Sequence, residues 1–445
     1  MKKKFISAFL CLFLVVAFLF QFQPAALADT GADASDGLSF GSDGTFTVLL
    51  LSDLQETQYT TGLVISGETN VINDYPADLI ILLGDQLEGS SPVIRIGNDD
   101  QNCINTIETL LEPVVDSGIP FVVVFGNHDY DAPLSIANQA ALYESYDTCI
   151  GVCYGENEPE CGAFTLPVYS SDGTQKALEL YFFDSGSYLA NGDYDTVSAE
   201  QVAWYNEQSA ALTAENDGQA LPSVAFFHIP LPEVYELFTE TEKGTDGAFE
   251  GVGVGKGKYY LPNYDMIFTG DVNESPCPSS INNGLFDAFL ENGDVFLAVN
   301  GHDHVNSYIG CLNGIDLANA PGSSYTSYGD KDIRGVRLFR FTEGSVENYE
   351  TIHVRYSDYN TALSYGPLRY YFSTTTAIPN AVKVLILLVV LVAALVVLIV
   401  LVVKKKKHSR PDLPAEAGTD GPSESGEPGE APETAPDDTP SGEEK

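Results

Sequence analysis

Val299-Asn300-Gly301-His302-Asp303-His304 closes an apolar run, Asp294 to Val299, with two histidines one residue apart. A short apolar run of this kind reads as a buried strand, so His302 and His304 fall where a strand gives way to a loop. Open α/β sheets bind their ligands at that edge. His128 and His228 follow similar runs, Phe121 to Phe125 and Val224 to Phe227, so four of the 6 histidines stand at strand ends.

Outward from these runs, Thr47 to Leu51, Leu79 to Leu83 and Leu178 to Phe183 read as further strands. Asn102 to Asp116 carries apolar residues at Ile104, Ile107, Leu110, Leu111 and Val114, a helical period closed by Ser117-Gly118. Ser198 with Gln201 three places on predicts a capping box for a helix through Trp204 to about Leu212. Strands alternating with helices predict an α/β body with a mostly parallel sheet covered on both faces.

The net charge of −42 comes from 63 acidic against 21 basic residues. Such a surface repels nucleic acid and anionic lipid, which argues against nucleic-acid binding through a basic patch. It fits solubility in a salty or extracellular setting. Lys2-Lys3-Lys4, the apolar stretch Phe5 to Phe20 and Ala26-Leu27-Ala28 predict a secretory signal peptide over residues 1–28. Residues 29–45, rich in Gly, Asp and Ser, read as a disordered lead-in to a folded domain over 46–356. A linker over 357–383 leads to the uncharged stretch Val384 to Val403, long enough for one C-terminal transmembrane helix. Lys404 to Lys407 mark its cytoplasmic side, and the Pro- and Glu-rich tail to Lys445 reads as a solvated extension. The expected location is the plasma membrane, single-pass, with the N-terminal domain extracellular and the tail cytoplasmic. Cys103, Cys149, Cys153, Cys161, Cys277 and Cys311 remain after signal removal, an even number in an exported chain that makes disulfides an expectation. Closure among Cys149, Cys153 and Cys161 and a Cys277–Cys311 bridge are the pairings considered.

Directly after the apolar runs come Ser52-Asp53-Leu54-Gln55, Gly84-Asp85, Gly126-Asn127-His128-Asp129, His228-Ile229-Pro230 and Gly301-His302-Asp303-His304. Each sets a carboxylate, amide or imidazole at a strand's carboxyl end, and three have a preceding glycine that permits a tight turn. Singly these are ordinary turns and core histidines. Together, hard oxygen donors mixed with imidazoles suit Mn, Fe or Zn better than Ca or Mg alone. Two such ions about 3.5–4 Å apart form the clamp used for in-line displacement at phosphorus.

In these blocks the chain resembles the calcineurin-like metallophosphoesterases, whose pattern runs D-x-H, GD, GNH[ED], a lone H and GHxH. The resemblance spans Leu49 to Arg340 and implies a two-sheet βαβ sandwich with flanking helices. It is closest to the branch related to purple acid phosphatases that lacks their metal-binding tyrosine, through Gly301 to Asn306, Gln201-x-x-Trp204-Tyr205 and Ser324 to Gly329 leading to Arg334-Gly335-Val336-Arg337. It implies one ion held by Asp53, Gln55 and His304, a second held by Asn127, His228 and His302, and Asp85 bridging them. His128 would face the phosphate as proton donor or charge stabiliser, with Asp129 orienting it. The cofactors would be two divalent or trivalent ions (Mn, Fe or Zn, with Mn favoured), and the nucleophile a water they acidify. In this acidic chain the ions also supply the local positive field that a phosphate dianion needs. Gln55 departs from the family's histidine, and its neutral amide predicts a weaker, harder first site.

Arg95, Arg334 and Arg337 are considered as phosphate contacts, although Val336 and Leu338 beside Arg337 suggest a strand with a solvated face. Gly244 to Lys258 reads either as a mobile loop over the site or as an exposed insertion. The function expected is an extracytoplasmic, membrane-anchored phosphohydrolase acting on small-molecule phosphoesters or phosphoproteins. The alternatives are a non-catalytic, metal-containing cell-surface binding module on the same fold, and an anchor working through the acidic tail.

Overall fold

Residues 37–60, 62–154, 162–325, 327–330, 332–359 and 386–399 are described by this computed structural model. Leu79–Leu83 shows how the body is built. All five residues are buried; Ile80 and Leu82 pack among helices, while Leu79, Ile81 and Leu83 face a second sheet. Phe121–Val124 alternates likewise, with Val122 and Val124 facing the second sheet. In the partner sheet Phe182, Val224, Phe226, Leu297 and Val299 meet them, while Tyr181, Phe183 and Ala225 face the opposite layer. Each fully buried aliphatic side chain contributes roughly 1.5–3 kcal/mol relative to exposure.

The result is two mixed sheets packed face to face with helices outside. One sheet runs Glu350–Arg355, Gly335–Thr342, Thr45–Leu51, Leu79–Leu83, Phe121–Val124, Cys149–Cys153; its last four strands are parallel. Helices Gly62–Asp74, Asp99–Asp116 and Ile136–Tyr143 bury their apolar stripes on its outer face. The 8-stranded sheet has a parallel centre, Lys176–Phe183, Ser223–Phe226, Val295–Asn300 and Ile315–Asn319, with antiparallel strands beyond. Helices Ala199–Glu215 and Leu285–Asn292 cover it. The single sheet coated by helices on both faces, expected from the alternation alone, is thereby corrected. One face of each sheet is covered by the other sheet, which makes the strands equally apolar on both sides and hides the difference from sequence reading.

The predicted helices form at Asp99–Asp116 and Ala199–Glu215, the second begun by Ser198 Oγ accepting from Gln201 N (3.1 Å). The lead-in is ordered at its end: Leu38–Ser39 pairs with Val168 and Tyr169, and Phe40 is buried against Phe46. The stretch from Gly244 is part of a three-stranded antiparallel sheet, Phe238–Thr241, Phe249–Glu250 and Tyr259–Pro262. Val254 N bonded to Ser279 O (3.0 Å) and Lys256 Nζ at 3.3 Å from Asp193 dock it.

Cys103, Cys149, Cys153, Cys277 and Cys311 are free thiols, so the Cys277–Cys311 bridge is not formed. Cys277 turns its thiol to Ser275 O, whereas Cys311 is exposed on the Ile309–Leu312 strand. Cys149 and Cys153 lie on one strand, where four residues span about 13 Å, beyond disulfide reach. Cys161 lies outside the described residues, as do the predicted signal peptide, most of the linker and the tail. Among the described residues no helix is long and apolar enough to cross a membrane. Of the predicted span 384–403, residues 386–399 are described and helical.

Candidate metal centre

The carboxyl ends of the parallel strands in both sheets reach one rim, and the loops there are tied across it. Asp53 N donates to Gly84 O (3.0 Å), Gln55 N to Asp85 O (2.8 Å), Gly301 N to His228 O (3.1 Å) and His302 N to Asp53 Oδ2 (3.0 Å). These turns hold side-chain-bearing residues in the left-handed region: Asp53 (φ 52°), Gln55 (40°), Asp85 (55°) and His302 (71°). Each costs on the order of 1–3 kcal/mol, strain that persists only where the surroundings enforce it and that clusters at functional sites.

The three preceding glycines act mainly by leaving room. A Cβ on Gly126 would lie 2.3 Å from Asp85 Oδ1, and one on Gly301 2.1 Å from Ser52 Oγ. Gly84 needs both freedoms: its φ is +91°, and a Cβ would lie 2.2 Å from His228 Nδ1. Gly84→Ala is therefore expected to displace the His228 ring, lowering stability by about 2–3 kcal/mol. Thermal melting with and without Mn would register both the loss and a smaller rise on adding the ion; an unchanged melting temperature would contradict the clash.

Asp85, His228 and His302 offer ligand atoms all within 4.8 Å of one another, and so do Asp53, Asp85 and His304; all five residues are buried. Asp85 is common to both sets. His228 Nδ1 lies 2.9 Å from Leu83 O, and His304 Nδ1 3.0 Å from Tyr328 O. Each carbonyl holds its ring by Nδ1–H and turns Nε2 inward, the usual arrangement behind a metal-binding imidazole. His228 Nε2 is 3.3 Å from Asp85 Oδ2, and His304 Nε2 is 3.3 Å from Asp53 Oδ1. His302 Nδ1 faces His228 Nε2 at 3.3 Å. Asn127 is buried beside them, with Nδ2 on the Tyr188 hydroxyl (2.8 Å) and Oδ1 left without a hydrogen-bond partner. No hydrogen bond reaches Asp53 Oδ1 either. Inward imidazole nitrogens, a shared carboxylate and a buried Asn127 Oδ1 without a hydrogen-bond partner fit a pair of cations. Gln55 is at the same place but presents Nε2 to Asp85 Oδ2 (3.0 Å).

The electrostatics of the bare residues agree. Burial opposes charge on His228, but Asp85 and Asp53 outweigh it and raise its pKa to about 10. His304, likewise buried, is raised to about 9 by Asp53. His302 is pushed down to about 3 by burial and then by His228. Asp85 lies below its ordinary range because the imidazoles, His228 first, overcome its burial.

His128 stands outside both ligand sets. Its N–H donates to Asp85 Oδ1 (2.7 Å), and its ring is partly exposed. Asp129 does not orient it, correcting the expectation: its carboxylate accepts from Leu87 N (2.9 Å) and Gly126 N (2.9 Å) and so holds the turn. The carboxylate near the ring is Asp131, 3.4 Å from Nδ1, at ion-pair distance but outside hydrogen-bond geometry. The three arginines bond backbone carbonyls. Arg95 reaches Gly89 O (3.0 Å) and Asp131 O (2.8 Å), Arg334 reaches Ser324 O, and Arg337 reaches Ser307 O. Arg337 is buried between the sheets, not on a solvated face, because Phe339 and Phe341 share its side of the strand and pack in the interior. It pins the loop that carries the paired histidines.

Sequence reading missed the supports of that loop. Asn319 Nδ2 reaches Asp303 O (3.0 Å) and Asn306 O (3.0 Å), and Asn306 Oδ1 accepts from Asn273 N (2.9 Å) and Glu274 N (3.1 Å). It also missed Tyr188 and Tyr194, which lie in an irregular loop without a motif. A cavity of about 440 Å³ opens at the other end of the Val295–Asn300 strand, among Phe289, Asp294 and Asp316.

A two-sheet sandwich with flanking helices, bearing two Asp/His sites that share a carboxylate at the strand ends, is the architecture of a dinuclear metallophosphoesterase. The family model for Calcineurin-like phosphoesterase matches residues 46–306, and the chain belongs to that family. Its relatives include the proteins named Probable inactive purple acid phosphatase 14 and 28 of Arabidopsis thaliana. They are 26% identical over 363 residues and 27% over 329, spanning 73% and 66% of this chain and 80% and 74% of their own. Phosphatase DCR2 of Saccharomyces cerevisiae is 25% identical over 337 residues, 66% of this chain and 49% of that protein. These similarities support the branch related to the purple acid phosphatases.

Proposed function

We propose that the chain is a metal-dependent phosphohydrolase, carried outside the cytoplasm and anchored by residues 384–403. The observation that carries the catalytic part is the convergence of Asp53, Asp85, His228, His302 and His304 around one shared carboxylate, with His128 beside it and outside both ligand sets. Asp53, Gln55 and His304 would hold one ion, Asn127, His228 and His302 the other, with Asp85 between them. Bound there, a pair of such ions acidifies water and neutralises charge on a phosphoryl group. The chain's own part is to fix ligand directions through Leu83 O and Tyr328 O, and to offer the His128 imidazole to the leaving oxygen. The apolar stretch followed by Lys404 to Lys407 supports the anchor and its orientation.

Hydrolysis of an aryl phosphate monoester and a diester by the Mn-loaded protein tests the reading. His128→Asn is expected to lower turnover about 100-fold, the scale of general acid–base assistance, with ion content unchanged. A second reading, a metal-holding surface module without turnover, is favoured by two observations. Gln55 aims an amide nitrogen at the shared carboxylate, and three relatives carry the word inactive in their names. Full ion loading with no hydrolysis of either ester would decide for that module.

A further inference from the structure

A cation is held by lone pairs, so each imidazole and amide at the centre has to be turned correctly before an ion arrives. Leu83 O and Tyr328 O turn His228 and His304. Asn127 and His302 are placed by two tyrosines instead. Tyr194 meets the His302 ring edge-on, with centroids 4.3 Å apart. Tyr188 stacks on Tyr194 (5.5 Å, 29°), and its hydroxyl accepts from Asn127 Nδ2 (2.8 Å). The two tyrosines pair across a short loop in which Asp195 N donates to Ser187 O (3.1 Å) and Leu189 N to Asp193 O (2.8 Å). Ser279 Oγ donates to Tyr194 O (2.8 Å) and docks that loop. Tyr188 therefore keeps its place although it is 39% exposed.

The two ends of a carboxamide are nearly equal in size, but only the oxygen can bind a cation, because the NH2 end presents protons. The centre holds two such groups, turned in opposite senses. Gln55 directs Nε2 at Asp85 Oδ2 (3.0 Å). Asn127 gives its nitrogen to the phenol, and its buried Oδ1 has no hydrogen-bond partner. Buried NH2 groups require acceptors, so the hydroxyl satisfies the nitrogen on the outer side and leaves the oxygen for the site. Without that acceptor the amide would satisfy its nitrogen by turning it inward to a carboxylate, as Gln55 does.

We propose that Tyr188 is a positioning residue of the second ion site: its hydroxyl fixes the Asn127 amide so that Oδ1, and not Nδ2, is offered to a divalent cation. This rests on the reading above that Asn127 is a ligand, and it adds the group that makes it one. Partners of this outer kind are worth about 10–100-fold in metal affinity.

The test is titration of the metal-free full chain with Mn, followed by calorimetry and by the electron paramagnetic resonance of the bound ions, neither of which needs turnover. Tyr188→Phe keeps the ring and its stack on Tyr194 and removes only the hydroxyl. It is expected to weaken one of the two Mn sites by at least about tenfold and to leave the other within about twofold. Asn127→Asp supplies the control, since the two oxygens of a carboxylate are alike and need no such sorting. Adding Tyr188→Phe to Asn127→Asp should therefore change Mn affinity by less than about twofold. Native affinity in Tyr188→Phe, or an equal loss in both backgrounds, overturns the proposal and leaves the dinuclear reading standing. A native chain that binds fewer than two Mn overturns both.

Discussion

Asp85→Asn protein is expected to hold at most one ion per chain and to lose about a thousandfold in phosphoester hydrolysis, the upper range for removing one charge-stabilising group from a site. Asp85 belongs to both ligand sets, so its charge is the one each ion shares. Asparagine is nearly isosteric and tolerates the left-handed backbone at φ 55°. It also keeps an oxygen to accept from His128 N, a bond of 2.7 Å in the native protein. The fold should therefore survive, which separates this substitution from Gly84→Ala. Ion content by atomic emission and hydrolysis of an aryl phosphate are the two measurements. Retention of both ions with undiminished activity would show that Asp85 is not the shared ligand and would remove the basis for a dinuclear site.

Much of the centre was legible because its chemistry sits at strand ends. A strand buried on both sides leaves a continuous apolar run, and the polar residues within three positions of its end stand where the chain leaves the sheet. Asp53, Asp85, Asn127, His228 and His302 all announce themselves this way, although they are spread over some 250 positions. The second sheet was invisible to periodicity, because Leu79–Leu83 is equally apolar towards helices and towards strands. Arg337 misled for a related reason. Alternation with Val336 and Leu338 correctly divides the strand's two faces, but it does not say that the face with the arginine is buried too. Burial lowers its pKa only to about 10, so it stays charged at neutral pH while bonded to Ser307 O. Asp129 and Asp131 differ by two positions in one turn. Only coordinates separate the carboxylate that closes the turn from the one that meets His128. Tyr188, Tyr194 and Tyr328 come from loops, where no period ties side-chain direction to sequence position.

Raising the pH from 6 to 8 should increase the melting-temperature gain produced by saturating Mn, and tighten Mn binding by up to about 100-fold per pH unit. In the ion-free protein the proton on His228 Nε2 sits between Asp85 Oδ2 (3.3 Å) and His302 Nδ1 (3.3 Å), and that on His304 Nε2 faces Asp53 Oδ1 (3.3 Å). These are the directions the ligand nitrogens must offer to a cation, so protons and ions compete for the same positions. Both histidines titrate above their ordinary range, at about 10 and about 9. Their stabilisation of the ion-free fold is therefore complete below the unfolded pKa of about 6.5 and is lost as pH climbs towards those folded values. Asp53 and Asp85 are held below the usual carboxylate range, so their contribution stays intact throughout this window and fades only in acid. The two trends add: the ion-free protein weakens with rising pH while the ions shed competing protons, each displaced proton contributing a factor of about ten per unit. Melting curves with Mn and with chelator, at several pH values in constant ionic strength, give the comparison. A Mn-induced gain that stays flat or shrinks from pH 6 to 8 would mean that these imidazoles are not the ligands, whatever else the rim binds.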